Sequence, residues 1–166
     1  LGVKYSVFVN SGSSSNLLTL SIIKNLYPKG GEIIVPSFTW SSDISAVILN
    51  GFTPKFVDID LRTLSMDNSK IIQSLNKKTV AVFLSHIQGF SGITDDLINE
   101  LNKRKIILLE DVCESHGASH KDKKLGTFGL ISNFSFYYAH HLSTIEGGML
   151  CTNDSKIYQI AKIIRA

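Results

Sequence analysis

The sequence has few cysteines and no long apolar run, and both absences exclude classes of protein. Two cysteines in 166 residues are too few for the disulfide framework of a small secreted domain, so we expect a reducing, cytoplasmic environment. No apolar run reaches the roughly 20 residues that a membrane-spanning helix needs. With 43% hydrophobic and 19% charged residues, the composition is typical of a folded globular domain rather than a disordered chain.

Large blocks of like charge are also missing. The formal net charge is +3, but the lysines are scattered, and the lysine-rich stretch at 121–124 contains an acidic residue. Nucleic-acid-binding proteins usually concentrate basic residues on one face, so we do not expect a nucleic-acid partner. No Cys/His spacing of the zinc type is present either, and we expect no metal site.

Short apolar segments alternate with helical patterns along the chain, which predicts an α/β fold. The predicted strands are residues 6–10, 32–36, 54–59, 79–86, 106–109, 133–138 and 148–152. The predicted helices are residues 14–26, 41–49, 69–75, 93–103 and a segment after 154. Nearly continuous apolar strands separated by helices form a mostly parallel sheet with helices on both faces. Only a short turn precedes the strand at 148–152, so it is predicted to be the one antiparallel strand of about seven.

A glycine- and serine-rich segment at 11–16 lies between a predicted strand and a predicted helix. The free N–H groups at the start of a helix, together with serine hydroxyls, form an anion site that suits phosphate. An ordinary serine N-cap would explain the same residues, so the local pattern leaves both interpretations open. The segment is not a Walker loop, because no Gly-Lys-Ser/Thr follows it.

Other polar residues end predicted strands, where ligands bind in parallel sheets. Glu110 and Asp111 end a buried strand, so a carboxylate there binds a protonated ring nitrogen, forms a structural ion pair or is solvated at the strand end. Trp40, the only tryptophan, either stacks on a flat ring or belongs to the core. His140 and His141 are adjacent at a predicted strand end and would point to opposite faces. Proton transfer by one imidazole is therefore favoured over chelation of a metal.

Taken together, six ordered motifs resemble the DegT/DnrJ/EryC1/StrS sugar aminotransferases. The resemblance spans essentially the whole chain, and the motifs are residues 10–13, 31–40, 54–60, 109–118, 126–129 and 134–148. It implies the fold-type I architecture of aspartate aminotransferase and a vitamin-B6 cofactor, either pyridoxal 5′-phosphate (PLP) or pyridoxamine 5′-phosphate (PMP).

The resemblance also implies roles for individual residues. Gly12 and Ser13 would hold the cofactor phosphate through their backbone N–H groups, helped by the hydroxyl of Ser135. Trp40 would stack on the pyridine ring, and Asp111 would pair with the ring nitrogen.

One position departs from the usual pattern of the family. His140 stands where ordinary members have the Schiff-base lysine, which is similar to the lysine-less sugar 3-dehydratases of the family. An imidazole forms no stable imine with an aldehyde, so the cofactor would be held without a covalent bond, and His140 would transfer protons. Glu114 stands where a glutamine near the ring hydroxyl is usual. His86 lies in a segment that usually reads His-x-x-Gly, and its role is left unassigned.

This resemblance implies loss of the C3 hydroxyl from a nucleotide-linked 4-keto-6-deoxy sugar, with glutamate as amino donor and a homodimeric enzyme. Two alternatives stay open. An aminotransferase could take its lysine from Lys123 or Lys124, and a non-catalytic descendant could retain only the phosphate site. Because the chain starts without methionine and stops inside a helical pattern, we expect residues 1–166 to be the central part of a cofactor-binding large domain. An N-terminal segment and a C-terminal small domain would then lie outside it.

Overall fold

The computed structural model describes all 166 residues, which form an α/β fold. The strands are β1 (Tyr5–Val9), β2 (Glu32–Pro36), β3 (Thr53–Val57), β4 (Thr79–Ser85), β5 (Ile107–Asp111), β6 (Ser119–His120), β7 (Lys123–Lys124), β8 (Ile131–Ser135) and β9 (Gly148–Thr152). The helices are α1 (Gly12–Leu26), α2 (Ser41–Leu49), α3 (Asn68–Ser74), α4 (Asp95–Arg104) and α5 (Ser155–Arg165). None of the helices is both long and apolar enough to cross a membrane.

Seven strands form one mixed sheet in the order β1-β9-β8-β5-β4-β2-β3. Strand β9 runs antiparallel to both of its neighbours, β1 and β8. All other neighbouring strands are parallel. The predicted sheet is therefore confirmed, including the identity of its antiparallel strand. Strands β6 and β7 form a separate small hairpin.

Both faces of the sheet are covered, and β4 shows how. Ala81 and Phe83 pack into a core shared with α1, α2 and α5. Their neighbours Val82 and Leu84 pack into a second core with α3 and α4. Successive strand residues point to opposite faces, so a strand buried on both sides needs the continuous apolar run seen in the sequence.

Two element boundaries differ from the predicted ones and matter for the site. Helix α1 begins at Gly12, two residues early, because Ser11 is its N-cap and the Ser11 Oγ accepts the N–H of Ser14 at 3.1 Å. Strand β8 ends at Ser135, three residues early. Residues 136–147 form a loop. The expectation that His140 and His141 lie at the end of a strand is therefore wrong, and the alternation of strand residues does not determine where their side chains point.

Candidate functional site

A cleft of about 470 Å³ opens where the carboxyl ends of β2, β4, β5 and β8 meet. It brings together all of the residues to which the sequence assigned a role in the site. These are Gly12, Ser13, Trp40, Asp111, Glu114, Ser135 and His140. They come from the start of α1, from the loops that follow β2 and β5, from the ends of β5 and β8, and from the loop at 136–147. The fold thus places residues that are up to 128 positions apart around one space.

The start of α1 points its backbone donors into this cleft. The N–H groups of Ser14 and Ser15 are already satisfied, because they donate to the side-chain and main-chain oxygens of Ser11. The N–H groups of Gly12 and Ser13 have no partner within the helix. Two free donors at the positive end of a helix dipole make a site that suits an anion.

Gly12 lets this helix start approach strand β8 closely. A Cβ atom at Gly12 would lie 2.6 Å from the Cβ and 3.1 Å from the Oγ of Ser135. Real Cβ atoms do not come that close, so any other residue would push the two elements apart. The absence of a side chain therefore places the Ser135 hydroxyl beside the free N–H groups.

A buried polar contact fixes α1 on β8 just behind this point. The hydroxyls of Ser15 and Thr19 each donate to Asn133 Oδ1 at 2.7 Å. All three residues are buried. Hydrogen bonds between buried groups have a defined geometry, so the position of the helix start relative to Ser135 is held from within the core.

The Asp111 carboxylate is oriented by two donors. Asn16 Nδ2 donates to one oxygen at 3.0 Å, and the backbone N–H of Cys113 donates to the other at 2.9 Å. The residue is 7% exposed, and no lysine, arginine or histidine of the chain forms an ion pair with it. A fixed carboxylate without a basic partner, at the wall of a cleft, suits a cationic N–H group of a ligand.

Asp43, from the first turn of α2, is a cleft residue that the sequence analysis missed. It is 1% exposed and accepts hydrogen bonds from Asn16 Nδ2 at 2.7 Å and from the hydroxyls of Thr39 and Ser85, each at 2.5 Å. Burial, and then the charge of Asp111, raises the pKa of Asp43 well above its ordinary value. An acidic residue in a first helical turn is common on dipole grounds alone, so the pattern carried no signal of this position.

Glu110, the neighbour of Asp111, faces away from the cleft, and its carboxylate forms hydrogen bonds with two loops. Its carboxylate accepts the N–H groups of Gly126, Phe128 and Gly129 at 2.6–2.8 Å. His86 Nε2 lies 3.2 Å from it, while Nδ1 of the same ring accepts the N–H of Gly92. The ring proton therefore sits on Nε2 and is donated to Glu110.

Burial raises the pKa of Glu110, but the hydrogen bond from His86 and those from the backbone outweigh it. The net pKa of Glu110 lies below its ordinary value. His86 thus has a structural role, because it links Glu110 to the loop that contains Gly92. Of the two adjacent acids, Asp111 is the one that faces the cleft.

Trp40 and His140 stand at the open side of the cleft. Trp40 is 69% exposed, so it is not a core residue, and its ring is available for stacking. His140 is half-buried, and its ring centroid lies 6.0 Å from that of Tyr137 and 5.9 Å from that of His116. Burial, followed by the nearby His140 and His141, lowers the pKa of His116. His116 is a second neighbour of the site that the sequence analysis missed.

The two lysines considered as alternatives do not line the cleft. They lie in the β6–β7 hairpin, where Lys124 Nζ donates to the Gly117 carbonyl at 2.6 Å. Lys123 Nζ lies over the ring of Phe128, 4.2 Å from its centroid. Glu114, by contrast, does line the cleft, and its carboxylate accepts the side-chain amide of Gln88 at 3.2 Å.

Comparison with known proteins gives a consistent result. The sequence model of the DegT/DnrJ/EryC1/StrS aminotransferase family matches residues 1–166. A GDP-4-keto-6-deoxy-D-mannose 3-dehydratase of Escherichia coli O55:H7 is 41% identical over 169 aligned positions, which cover 99% of this chain and 44% of that relative. The chain thus spans less than half the length of this curated relative.

Comparison with solved structures finds similar enzymes. An E. coli GDP-4-keto-6-deoxy-D-mannose-3-dehydratase with bound hydrated PLP superposes with a TM-score of 0.94 at 41% identity, over 99% of this chain and 43% of that one. A GDP-4-keto-6-deoxymannose-3-dehydratase with a trapped PLP-glutamate geminal diamine also gives a TM-score of 0.94, at 40% identity over 99% and 44%.

Proposed function

Because this chain belongs to the DegT/DnrJ/EryC1/StrS aminotransferase family, we propose that it is the cofactor-binding part of a nucleotide-sugar 3-dehydratase that uses PLP and PMP. One observation carries the proposal. The cleft contains no lysine, and His140 is at its wall. An aminotransferase of this kind needs a lysine amine there, whereas a dehydratase with a non-covalently held cofactor needs a group that transfers protons.

The residues of the cleft fit such a cofactor. The approach of Gly12 to Ser135 leaves a cradle of two backbone N–H groups and one hydroxyl for the phosphate. The Asp111 carboxylate has no basic partner of its own and would keep the ring nitrogen protonated. Trp40 offers an exposed aromatic face for the ring. Glu114 lines the same cleft, and we assign it to the neighbourhood of the ring hydroxyl.

When bound, the cofactor supplies an amine that condenses with the sugar ketone and a ring that accepts electrons. The chain's own residues hold, orient and move protons. His140 would take a proton as a base from the cofactor carbon that bears the amine, and would return it as an acid to the oxygen of the departing C3 hydroxyl, which leaves as water. An imidazole suits both steps because it changes protonation state near neutral pH. Asp111 keeps a negative charge beside the ring throughout.

The substrate we propose is a nucleotide-linked 4-keto-6-deoxy sugar, with GDP-4-keto-6-deoxy-D-mannose as the first to test, and glutamate as amino donor. The names of the two dehydratase relatives support this choice. Residues 1–166 would be the central part of the large domain, with an N-terminal segment and a C-terminal small domain outside them. Both cysteines are free thiols, which fits the cytoplasmic location that we propose.

The test uses the full-length enzyme loaded with PMP and then with PLP. With GDP-4-keto-6-deoxy-D-mannose and glutamate, we expect a 3-deoxy-4-keto product by mass spectrometry. Borohydride treatment of the PLP-loaded enzyme should leave the protein mass unchanged, because no lysine is joined to the cofactor. Formation of a 4-amino sugar, with the cofactor fixed covalently by borohydride, would instead identify an aminotransferase.

A further inference from the structure

Asp43 and Asp111 form a pair of carboxyl groups at the floor of the cleft. One amide nitrogen, Asn16 Nδ2, lies 2.7 Å from an oxygen of Asp43 and 3.0 Å from an oxygen of Asp111. The same nitrogen also lies 3.1 Å from Ser42 Oγ. An amide group has two hydrogens, so it cannot satisfy three acceptors. Because both carboxyl oxygens contact that one nitrogen, the two carboxyl groups are neighbours.

The pair has no compensating cation. Neither carboxylate takes part in any of the ion pairs of the chain. The remaining hydrogen-bond partners are uncharged hydroxyl and N–H groups. The nearby titratable groups are the thiol of Cys113 and the imidazole of His116, and burial lowers the pKa of His116 despite the charge of Asp111. Burial, and then the charges of Asp111 and Asp43, raises the pKa of that thiol well above its ordinary value. Two adjacent carboxylates away from water cannot both keep a negative charge without a cation.

The extra proton belongs on Asp43. Asp43 is 1% exposed, whereas Asp111 is 7% exposed and forms part of the cleft wall. Burial and the charge of Asp111 both raise the pKa of Asp43. A proton on Asp43 also supplies the missing hydrogen between the two groups, because the Asp43 hydroxyl can donate to the Asp111 oxygen that Asn16 shares.

We propose that Asp43 is a positioning residue that exists as a neutral carboxylic acid and holds the Asp111 carboxylate by a hydrogen bond. The floor of the cleft then presents one negative charge rather than two, at a fixed orientation. This inference rests on the proposed function, since the partner of that single charge is the protonated ring nitrogen of the cofactor. It assigns a role to a residue outside the phosphate cradle, the aromatic stack and the proton-transferring histidine.

The test compares three variants of the full-length enzyme. Asp43→Asn is nearly isosteric with the neutral acid and keeps both a donor and an acceptor, whereas Asp43→Ala removes both. Asp96→Asn, at an exposed position of α4, is the control for loss of one acidic residue. The measurements are the infrared carbonyl stretch of a protonated carboxylic acid in the cofactor-free protein, the affinity for PMP, and the ¹⁵N chemical shift of the bound cofactor's ring nitrogen.

We expect the parent and Asp96→Asn to show the carboxylic acid band at neutral pH, and both Asp43 variants to lack it. Asp43→Asn should bind PMP within about twofold of the parent and with the same ring-nitrogen shift. Asp43→Ala should bind about tenfold more weakly, the scale expected for loss of a hydrogen bond to a charged group. Circular dichroism checks that each variant is folded, and the infrared band and Asp43→Asn decide the question if Asp43→Ala does not fold.

Three results would overturn the inference. The first is a parent enzyme that lacks the infrared band of a carboxylic acid. The second is an Asp43→Asn variant that binds PMP as weakly as Asp43→Ala. Either result would mean that Asp43 acts through a negative charge. The third is an Asp43→Ala variant that binds PMP like the parent. Failure of the proposed function looks different, because the parent itself would then not bind PMP, while the infrared band would still report the state of Asp43.

Discussion

His140 is the residue on which the proposed chemistry depends most directly, and replacing it with lysine is its sharpest test. In His140→Lys, the new amine should bind the aldehyde of PLP covalently, because it stands where ordinary family members carry theirs. Release of the 3-deoxy product should fall at least 100-fold, the scale associated with loss of a positioned general acid–base. Absorbance spectra and borohydride fixation followed by mass spectrometry measure the first effect, and single-turnover assays measure the second.

His141→Asn is the matched control for that variant. His141 does not line the cleft and is exposed, so its replacement should change product release by less than about threefold, as for a surface substitution. A His140→Lys enzyme that dehydrates as fast as the parent, beside an inactive His141→Asn enzyme, would mean that the other histidine is the working one.

A second prediction concerns the missing side chain of Gly12. In Gly12→Ala, the new Cβ would lie 2.6 Å from that of Ser135, so α1 and β8 must separate and the phosphate cradle opens. Overpacking of this kind costs about 1–3 kcal/mol of folding stability. The opened cradle should also lower PMP affinity by about tenfold or more, the scale of one lost hydrogen bond to a charged group. Isothermal titration with PMP measures the loss.

Ser13→Ala is the control for Gly12→Ala, because it removes a hydroxyl but keeps the backbone N–H that we assign to the phosphate. It should bind PMP within about threefold of the parent. Equal losses in the two variants would show that the side chain of Ser13, rather than the close approach at Gly12, determines affinity.

At the scale of elements, Glu110 joins strand β5 to the loops at 86–92 and 126–129. Its pKa in the folded chain lies below the ordinary 4.5. Its contribution to the free energy of unfolding is therefore fully present above about pH 4.5 and is lost as the pH falls through the lower, folded-state pKa. We expect Glu110→Gln to lower stability at pH 7 by about 1.5–3 kcal/mol, the scale of hydrogen bonds to a charged group.

The pH dependence separates this explanation from simple loss of packing. Between pH 6 and pH 3, the difference in unfolding free energy between the parent and Glu110→Gln should shrink, because the parent loses the contribution of the carboxylate. Urea unfolding at a series of pH values measures that difference, and subtracting the two proteins cancels the opposite contribution of Asp43. A difference that stays constant with pH would contradict the assignment.

The elements also show what could be read from the sequence. The pattern predicted all seven strands of the main sheet and its one antiparallel member, because strands buried on both faces leave continuous apolar runs such as that around Phe83. It misplaced the end of β8 at 138, since Phe136, Tyr137 and Tyr138 have high strand propensity. In the structure, the backbone N–H of Phe136 instead donates a hydrogen bond to the Gly147 carbonyl, and the Phe136 carbonyl accepts one from the N–H of Thr144.

Some of the site residues could likewise be predicted from the sequence, and others could not. Gly12, Asp111 and His140 belong to motifs shared with a family, so they could be identified without coordinates. Asp43 and Asn16 could not, because their importance comes from three-dimensional contacts between α1, α2 and β5. No local pattern encodes such contacts, and a buried acid in the sequence looks the same as an exposed one.

At the scale of the whole molecule, the surroundings of the cleft bear on assembly. Phe38, Trp40, Phe90 and Tyr138 are exposed in loops that carry cleft residues. Exposed aromatic groups around a site are typical of a surface that a partner covers. We propose a homodimer for the full-length enzyme, and sedimentation should give twice the subunit mass. Full dehydratase activity in a protein that sediments as a monomer would contradict it.

The pairing of β1 with β9 has a consequence for the order of events during synthesis. Tyr5 pairs with Thr152, and Val9 pairs with Gly148, so the first strand waits for a segment made about 140 residues later. Contacts this distant in sequence form slowly, because a long loop must close first. Helix α1 follows β1 directly and packs on α2, β8 and β9, so its packing is completed only after β8 and β9 have been made. The phosphate cradle joins N–H groups at positions 12 and 13 to a hydroxyl at position 135, so it is completed only after the residues between them have been made.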